Sequence, residues 1–262
     1  MVRGLANAVV GKTIARAEVR MAKIAVHAPE RSFDEHLRDD RIVAVGRRGK
    51  FIVIELASAR GLVVSLRMTG RLIVQPPGTA DAHPYTHVLL TFSDGHRLCF
   101  ADVRQFGRMR LVAPKEPWDE RLGVEPLSEA FTFERFTAML VGRRTPIKAF
   151  LLDQSKIAGI GNIYACEALW QAGIRPGKPA QRLSKPARSR LRDAIQDVLM
   201  RAIALRGSSV DDYVDAEGLR GGFQNVLAVY GRLGQPCLRC GARIVRTVLA
   251  QRGTWWCRNC QR

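Results

Sequence analysis

The residues whose type and spacing speak most directly of chemistry are four cysteines near the C-terminus, Cys237-x2-Cys240 and Cys257-x2-Cys260. Two such knuckles can close a tetrahedron of thiolates around Zn²⁺, and four sulfur ligands leave no open position for a reactive water. One structural zinc ion is therefore the expected cofactor; a rubredoxin-like iron site or a redox dithiol pair would use the same residues. The segment around them, 226–262, has too little apolar mass to fold without such a staple. No run approaches the roughly 20 apolar residues of a membrane span, and the start lacks a signal-peptide core, so a cytoplasmic chain is expected. Disulfides are rare in that compartment, which favours metal binding. Cys99 and Cys166 lie in apolar patterns and read as core residues.

A second chemical pattern runs from Pro146 to Trp170. Lys148 to Asp153 reads as a short helix, Gly159 and Gly161 break it, and Asn162 is placed to cap another helix with Ile163, Cys166, Leu169 and Trp170 on its apolar face. Two helices meeting at a glycine turn can bring backbone N–H groups, Lys148 and Asn162 to a phosphate, although the same pattern also makes an ordinary helical corner. The charge balance favours a polyanionic partner: 42 Lys and Arg against 24 Asp and Glu give +18, with a pI near 10.6.

Around these patterns the chain divides into an extended half and a helical half. Short β-branched or alternating runs at 41–45, 51–56, 62–66, 88–92 and 97–100, separated by Gly, Asp or Pro turns, predict a β-sandwich or barrel. Met1 to Val10 reads as a helix with Leu5 and Val9 on one side. Pro114, Pro117 and 123–126 mark a linker; Phe131 to Leu140 and Lys185 to Leu205 are helical, and Asp215 to Gln224 is a loop. The expected class is α+β multidomain: an N-terminal β-sandwich over 1–115, a helical domain over 124–225 and a four-cysteine zinc finger over 226–262.

The cysteine pairs, the run Gly159-Ile160-Gly161-Asn162-Ile163-Tyr164 and the basic composition together resemble the formamidopyrimidine-DNA glycosylase branch of the Fpg/Nei family of base-excision repair enzymes. The resemblance covers nearly the whole chain. It implies a helix-two-turns-helix domain and a bifunctional activity: excision of oxidised purines such as 8-oxoguanine and formamidopyrimidines, then β,δ-elimination at the abasic site. The implied partner is double-stranded DNA carrying those lesions, bound by a monomer. Residue by residue, Lys50 falls on the lysine that assists β-elimination and Arg252 on the arginine at the zinc-finger tip. Met68, Arg104 and Phe106 match the trio that fills the void left by an everted base, which such enzymes must do. Lys148 and Asn162 carry over as phosphate contacts. Arg143 and Tyr85 align with further DNA contacts, Tyr85 where some relatives have His. The loop 215–224 resembles the segment over an everted purine.

At the N-terminus the sequence departs from the pattern. The family begins its chemistry with a proline amine, followed by a glutamate; here the residues are Met1-Val2-Arg3-Gly4-Leu5. An α-amine titrates well below lysine and can attack the sugar, so the proline and glutamate carry the nucleophilic and acid–base steps. Alignment puts their place about nine residues, roughly 13 Å of helix, ahead of Met1. The chain as written is accordingly expected to be inactive or weak, either as part of a longer enzyme or as a non-catalytic paralogue that binds damaged or abasic DNA. An RNA-binding zinc ribbon is a third class, which the wedge residues disfavour.

Overall fold

The computed structural model describes residues 1–27, 30–208 and 221–262. The chain forms two units, Met1–Asp119 and Glu120–Gly207 with Phe223–Arg262. The second unit holds the longer helices and the four-cysteine tail together.

In the first unit the period-2 patterns make two packed sheets. Helix α1 (Val2–Val9) precedes β1 (Ile14–Val19), β2 (Ala25–Val26), helix α2 (Phe33–Leu37), β3 (Ile42–Arg48), β4 (Phe51–Leu56), β5 (Gly61–Ser65), β6 (Gly70–Gln75), β7 (Thr86–Phe92), β8 (Arg97–Asp102) and β9 (Arg108–Val112). One sheet has the order β1-β7-β8-β6, the other β2-β9-β5-β4-β3. Alternation along β4 turns Ile52, Ile54 and Leu56 inward, where they join Leu72, Val88, Leu90, Leu98 and Phe100 of the opposite sheet. An eight-residue helix is marginal alone, but α1 buries Leu5 and Val9 completely in this core, worth roughly 3–5 kcal/mol by area.

In the second unit, α3 (Phe133–Leu140) is capped by Thr132, whose hydroxyl accepts from the Arg135 N–H at 3.1 Å. Helix α4 (Ile147–Leu152), α5 (Asn162–Ala172) and α6 (Lys185–Ala204) follow, then the hairpin β10 (Ile244–Leu249) and β11 (Arg252–Cys257). Gly173 at φ 71° ends α5, with the Ile174 N–H returning to the Leu169 carbonyl at 2.9 Å. The helical core gathers Phe131, Phe136, Leu151, Leu169, Leu191 and Ile195; a smaller cluster of Cys166, Val229, Cys237, Ile244 and Cys257 lies under the hairpin.

Two local expectations are corrected. The cap of α5 is Gly161, not Asn162, which is the first helical residue and sends its amide elsewhere. Of the loop expected at 215–224, residues 215–220 lie outside the described residues, and Phe223–Val226 forms a turn of 3-10 helix.

Candidate functional site

Each unit carries its own cluster of the residues singled out by sequence. In the first unit, β6 and β8 pair antiparallel, with Gly70 opposite Asp102 at the end of the ladder. The chain just before Gly70 holds Met68, and the chain just after Asp102 holds Arg104 and Phe106, so the sheet brings together side chains far apart in sequence. Met68 is 52% exposed and Phe106 53% exposed. Arg104 lies between them: its Nη1 is 3.3 Å from the Met68 sulfur, and its guanidinium sits 5.0 Å from the centre of the Phe106 ring. Two large apolar side chains and a cation thus project to solvent as a preassembled tip.

The backbone beneath the tip is strained. Arg67 and Gln105 hold φ 54° and 58°, in the left-handed region that costs a non-glycine residue about 1–2 kcal/mol. At Gly107 a Cβ would lie 2.6 Å from the Phe100 ring, so only glycine lets the loop close on the sheet. What holds both turns is Asp102, 1% exposed. Its carboxylate accepts from the Thr69 hydroxyl, from the Arg104 N–H at 3.2 Å and from the Gly107 N–H at 2.7 Å. Burial alone would raise this carboxyl's pKa, but the hydrogen bonds outweigh it and hold it below the ordinary carboxylate value. Tyr85, 62% exposed at φ 60°, borders the same region, its carbonyl accepting from the Asp102 N–H at 3.1 Å. Lys50 is exposed on the two-residue turn joining β3 and β4, where Gly49 at φ 57° supplies the left-handed position.

In the second unit, Leu249 pairs with Arg252, leaving Ala250 and Gln251 as a two-residue turn with φ 49° and 58°. Positive φ at both positions is the twist-matched hairpin geometry, here without the usual Asn or Gly. Arg252 is exposed beside this tip. Behind it lies Lys148, expected as a phosphate contact but 0% exposed. Its ammonium donates to the Gly253 carbonyl at 2.9 Å and to the Thr254 hydroxyl at 2.6 Å, and the Asn162 amide donates to the same carbonyl at 3.1 Å. The polar reach of Lys148 is taken up inside the protein, in aiming the hairpin. Asn162 Oδ1 is buried without a hydrogen-bond partner among the described residues. Burial lowers the pKa of Lys148, partly opposed by Cys166 and reinforced by Arg252. Arg143 is exposed on the turn after α3.

The four cysteine sulfurs lie within 4.8 Å of one another, with Cys237 to Cys260 at 3.9 Å and Cys240 to Cys257 at 3.6 Å. A tetrahedral ion at about 2.3 Å from each sulfur requires separations near 3.8 Å, so this donor set fits a structural metal. The Trp170 indole N–H reaches the Cys237 sulfur at 3.4 Å, supporting the site from α5. Cys99 and Cys166 are both fully buried, and burial pushes the Cys166 thiol up to about 11, leaving it an inert core group.

Comparison with known proteins bears on all three segments. Residues 1–109 match the formamidopyrimidine-DNA glycosylase N-terminal domain, 122–214 the formamidopyrimidine-DNA glycosylase H2TH domain, and 234–262 the zinc finger found in FPG and IleRS. The formamidopyrimidine-DNA glycosylase of Heliobacterium modesticaldum is 44% identical over 266 aligned positions, covering 99% of this chain and 96% of the relative. The chain belongs to the formamidopyrimidine-DNA glycosylase family. That of Roseiflexus is 48% identical over 83% of this chain and 80% of its own length. Among solved structures, the Lactococcus lactis Fpg (MutM) complexed with FAPY-dG containing DNA superposes with a TM-score of 0.92 at 34% identity, covering 100% of this chain and 97% of that one. The Thermus thermophilus MutM (Fpg) protein gives 0.89 at 39% identity, covering 99% and 95%.

For this formamidopyrimidine-DNA glycosylase family member, sequence reasoning named the exposed tips and missed what holds them. Asp102 stood unremarked beside Arg104 because one aspartate at a turn has no signature of its own. Glu167, mid-helix in α5 and 4% exposed, was likewise missed; its carboxylate accepts from the N–H groups of Ala228, Val229 and Tyr230 at 2.8, 3.0 and 2.8 Å. An ionisable residue inside an apolar helical face was the available signal.

Proposed function

We propose that the protein is a bifunctional repair glycosylase that everts and removes oxidised purines, such as 8-oxoguanine and formamidopyrimidine, from double-stranded DNA and then cleaves the abasic strand by β,δ-elimination. Membership of the family supports the reaction class, and the preassembled Met68, Arg104 and Phe106 tip carries the reading. Two apolar wedges and a cation are what a stack needs once a base has left it: the wedges replace lost stacking, and the guanidinium offers donors to the orphaned partner. The excess of basic charge draws the chain to duplex DNA, with Tyr85, Arg143 and Asn162 as further contacts. Lys50 and Arg252 act on the lesion phosphates and assist elimination. One zinc ion held by Cys237, Cys240, Cys257 and Cys260 supplies structural order to the hairpin that bears Arg252 and takes no part in the reaction. The protein works as a monomer in the bacterial cytoplasm.

The Schiff base and its acid–base partner call for an N-terminal proline and glutamate, which residues 1–5 do not contain. Turnover requires both groups at the sugar, and a Pro-Glu leader joined ahead of Met1 would supply them. Borohydride trapping on an 8-oxoguanine duplex, run with the 262-residue chain and with one extended by such a leader, tests this. A covalent adduct with the extended chain alone is the expected result. No adduct with either, despite tight binding to abasic DNA, would replace the enzyme reading with a binding protein.

A further inference from the structure

The strand ladder between β6 and β8 ends at Gly70 and Asp102, yet the residues that form the tip lie beyond that end, on two separate turns. Strand pairing alone leaves those turns free to move apart. The Asp102 carboxylate closes the gap. One oxygen takes the Thr69 hydroxyl and the Arg104 N–H at 3.2 Å, and the other takes the Gly107 N–H at 2.7 Å. The Thr69 hydroxyl in turn accepts from the Arg104 N–H at 3.2 Å. Asp102 also fixes a third turn through its main chain: its N–H donates to the Tyr85 carbonyl at 3.1 Å, and its carbonyl accepts from His87 Nε2 at 2.8 Å. It is buried beneath these loops, so it reaches no phosphate.

We propose that Asp102 is a positioning residue for the base-replacing tip, binding the turns of Met68 and of Arg104 and Phe106 into one rigid body so that all three side chains insert together. The inference rests on the reading of that trio as the wedge. A carboxylate suits the task because every group around it is a donor; an asparagine of the same size would turn an N–H₂ toward one of them and release one turn. Rigidity matters because a wedge that must be ordered on insertion loses binding free energy to that ordering.

The test uses the 262-residue chain and duplexes with or without a tetrahydrofuran abasic analogue, with 2-aminopurine opposite the site to report unstacking. Binding is measured for Asp102→Asn, Thr69→Val, Thr69→Ser, Phe106→Ala and the double variant Asp102→Asn with Phe106→Ala. Asp102→Asn should lower the preference for damaged over undamaged duplex about tenfold, leaving undamaged affinity unchanged because phosphate contacts set it. Thr69→Val should lose part of the preference and Thr69→Ser regain it. The double variant should lose less than the sum of the two single losses, since the tie then serves only Met68 and Arg104. An unchanged preference in Asp102→Asn alongside a loss in Phe106→Ala, or additive losses in the double variant, would overturn the proposal and leave the wedge intact. A wild-type preference and 2-aminopurine signal in Phe106→Ala would remove the wedge reading itself, and this inference with it. If Asp102→Asn does not fold, the Thr69 pair decides, a wild-type preference in Thr69→Val counting against the proposal.

Discussion

In the sheet unit the exposed tip hangs from a buried carboxylate that accepts only from N–H and O–H groups, while in the helical unit it hangs from a buried ammonium that donates only to oxygen. Asp102 is served mainly by backbone donors of its own turn, which are present whenever the turn forms. Its hydrogen bonds more than repay burial, and it stays ionised. Lys148 has the Gly253 carbonyl and the Thr254 hydroxyl from a strand more than a hundred residues away, and burial pulls its pKa down. An anchor supplied mainly by its own turn, with Thr69 alone from further off, needs little from elsewhere; one supplied across the chain depends on whatever else holds the distant strand. For β10 and β11, a two-stranded ribbon too small to be stable alone, that is the four-cysteine metal site.

The contrast breaks most visibly on metal removal. Chelation, or Cys240→Ser, should release the hairpin, because structural zinc contributes on the order of 10 kcal/mol in small cysteine-ligated sites. Hydrogen exchange of β10 and β11 amides should rise by orders of magnitude while β6 and β8 amides keep their protection; equal loss in both would erase the distinction. Next in size, Lys148→Met leaves the Thr254 oxygen without its donor and the Gly253 carbonyl with the Asn162 amide in place of two donors, and should cost about 1–3 kcal/mol by chemical denaturation. Gly107→Ala should cost a similar 1–3 kcal/mol through the clash with Phe100 and should show in the first unit alone.

Acid and alkali separate the two anchors by sign. Asp102 has its folded pKa below the ordinary 3.8, so its contribution is complete above that value and is lost as pH falls through the folded pKa. The stability gap between the native chain and Asp102→Asn should shrink below pH 3.8. Lys148 has its folded pKa below the ordinary 10.5, so the folded state binds fewer protons and gains stability as pH rises toward that value. Melting curves of Lys148→Met should lack this alkaline gain. The smallest effect is expected at the hairpin turn, where Gln251→Gly relieves a positive φ and should stabilise by about 1 kcal/mol.

Much of this architecture was legible in the sequence because it is written in local periodicity. Alternation along Phe51–Leu56 and the 3.6-residue rhythm of Lys185–Ala204 reappear in place, and the cysteine spacing produced the sulfur cluster it implied. Helix α2 was missed inside the strand-rich half, although Ser32 and Glu35 form a capping box there, because five residues are too short for periodicity to register. The anchors were illegible for a different reason. Lys148 in a basic chain looks like one more cation, and its acceptors lie in β11; Asp102 acquires its meaning from Thr69, across a strand pair. Hydrogen bonds between distant positions leave no spacing to read.

The C-terminal ribbon is gripped by α5 at both ends. Glu167 holds the backbone at 228–230 where the ribbon begins, and at its far end the Arg262 N–H returns to the Gly173 carbonyl at 3.2 Å while the Gln261 amide donates to the Ile174 carbonyl at 2.9 Å. Without metal, the segment is thus a closed loop instead of a free tail. Its cysteines begin already confined near one another, and part of the entropy of gathering four ligands has been spent by the helix. Metal capture then becomes a short local search once α5 has folded, with a rate set by opening and closing of the loop.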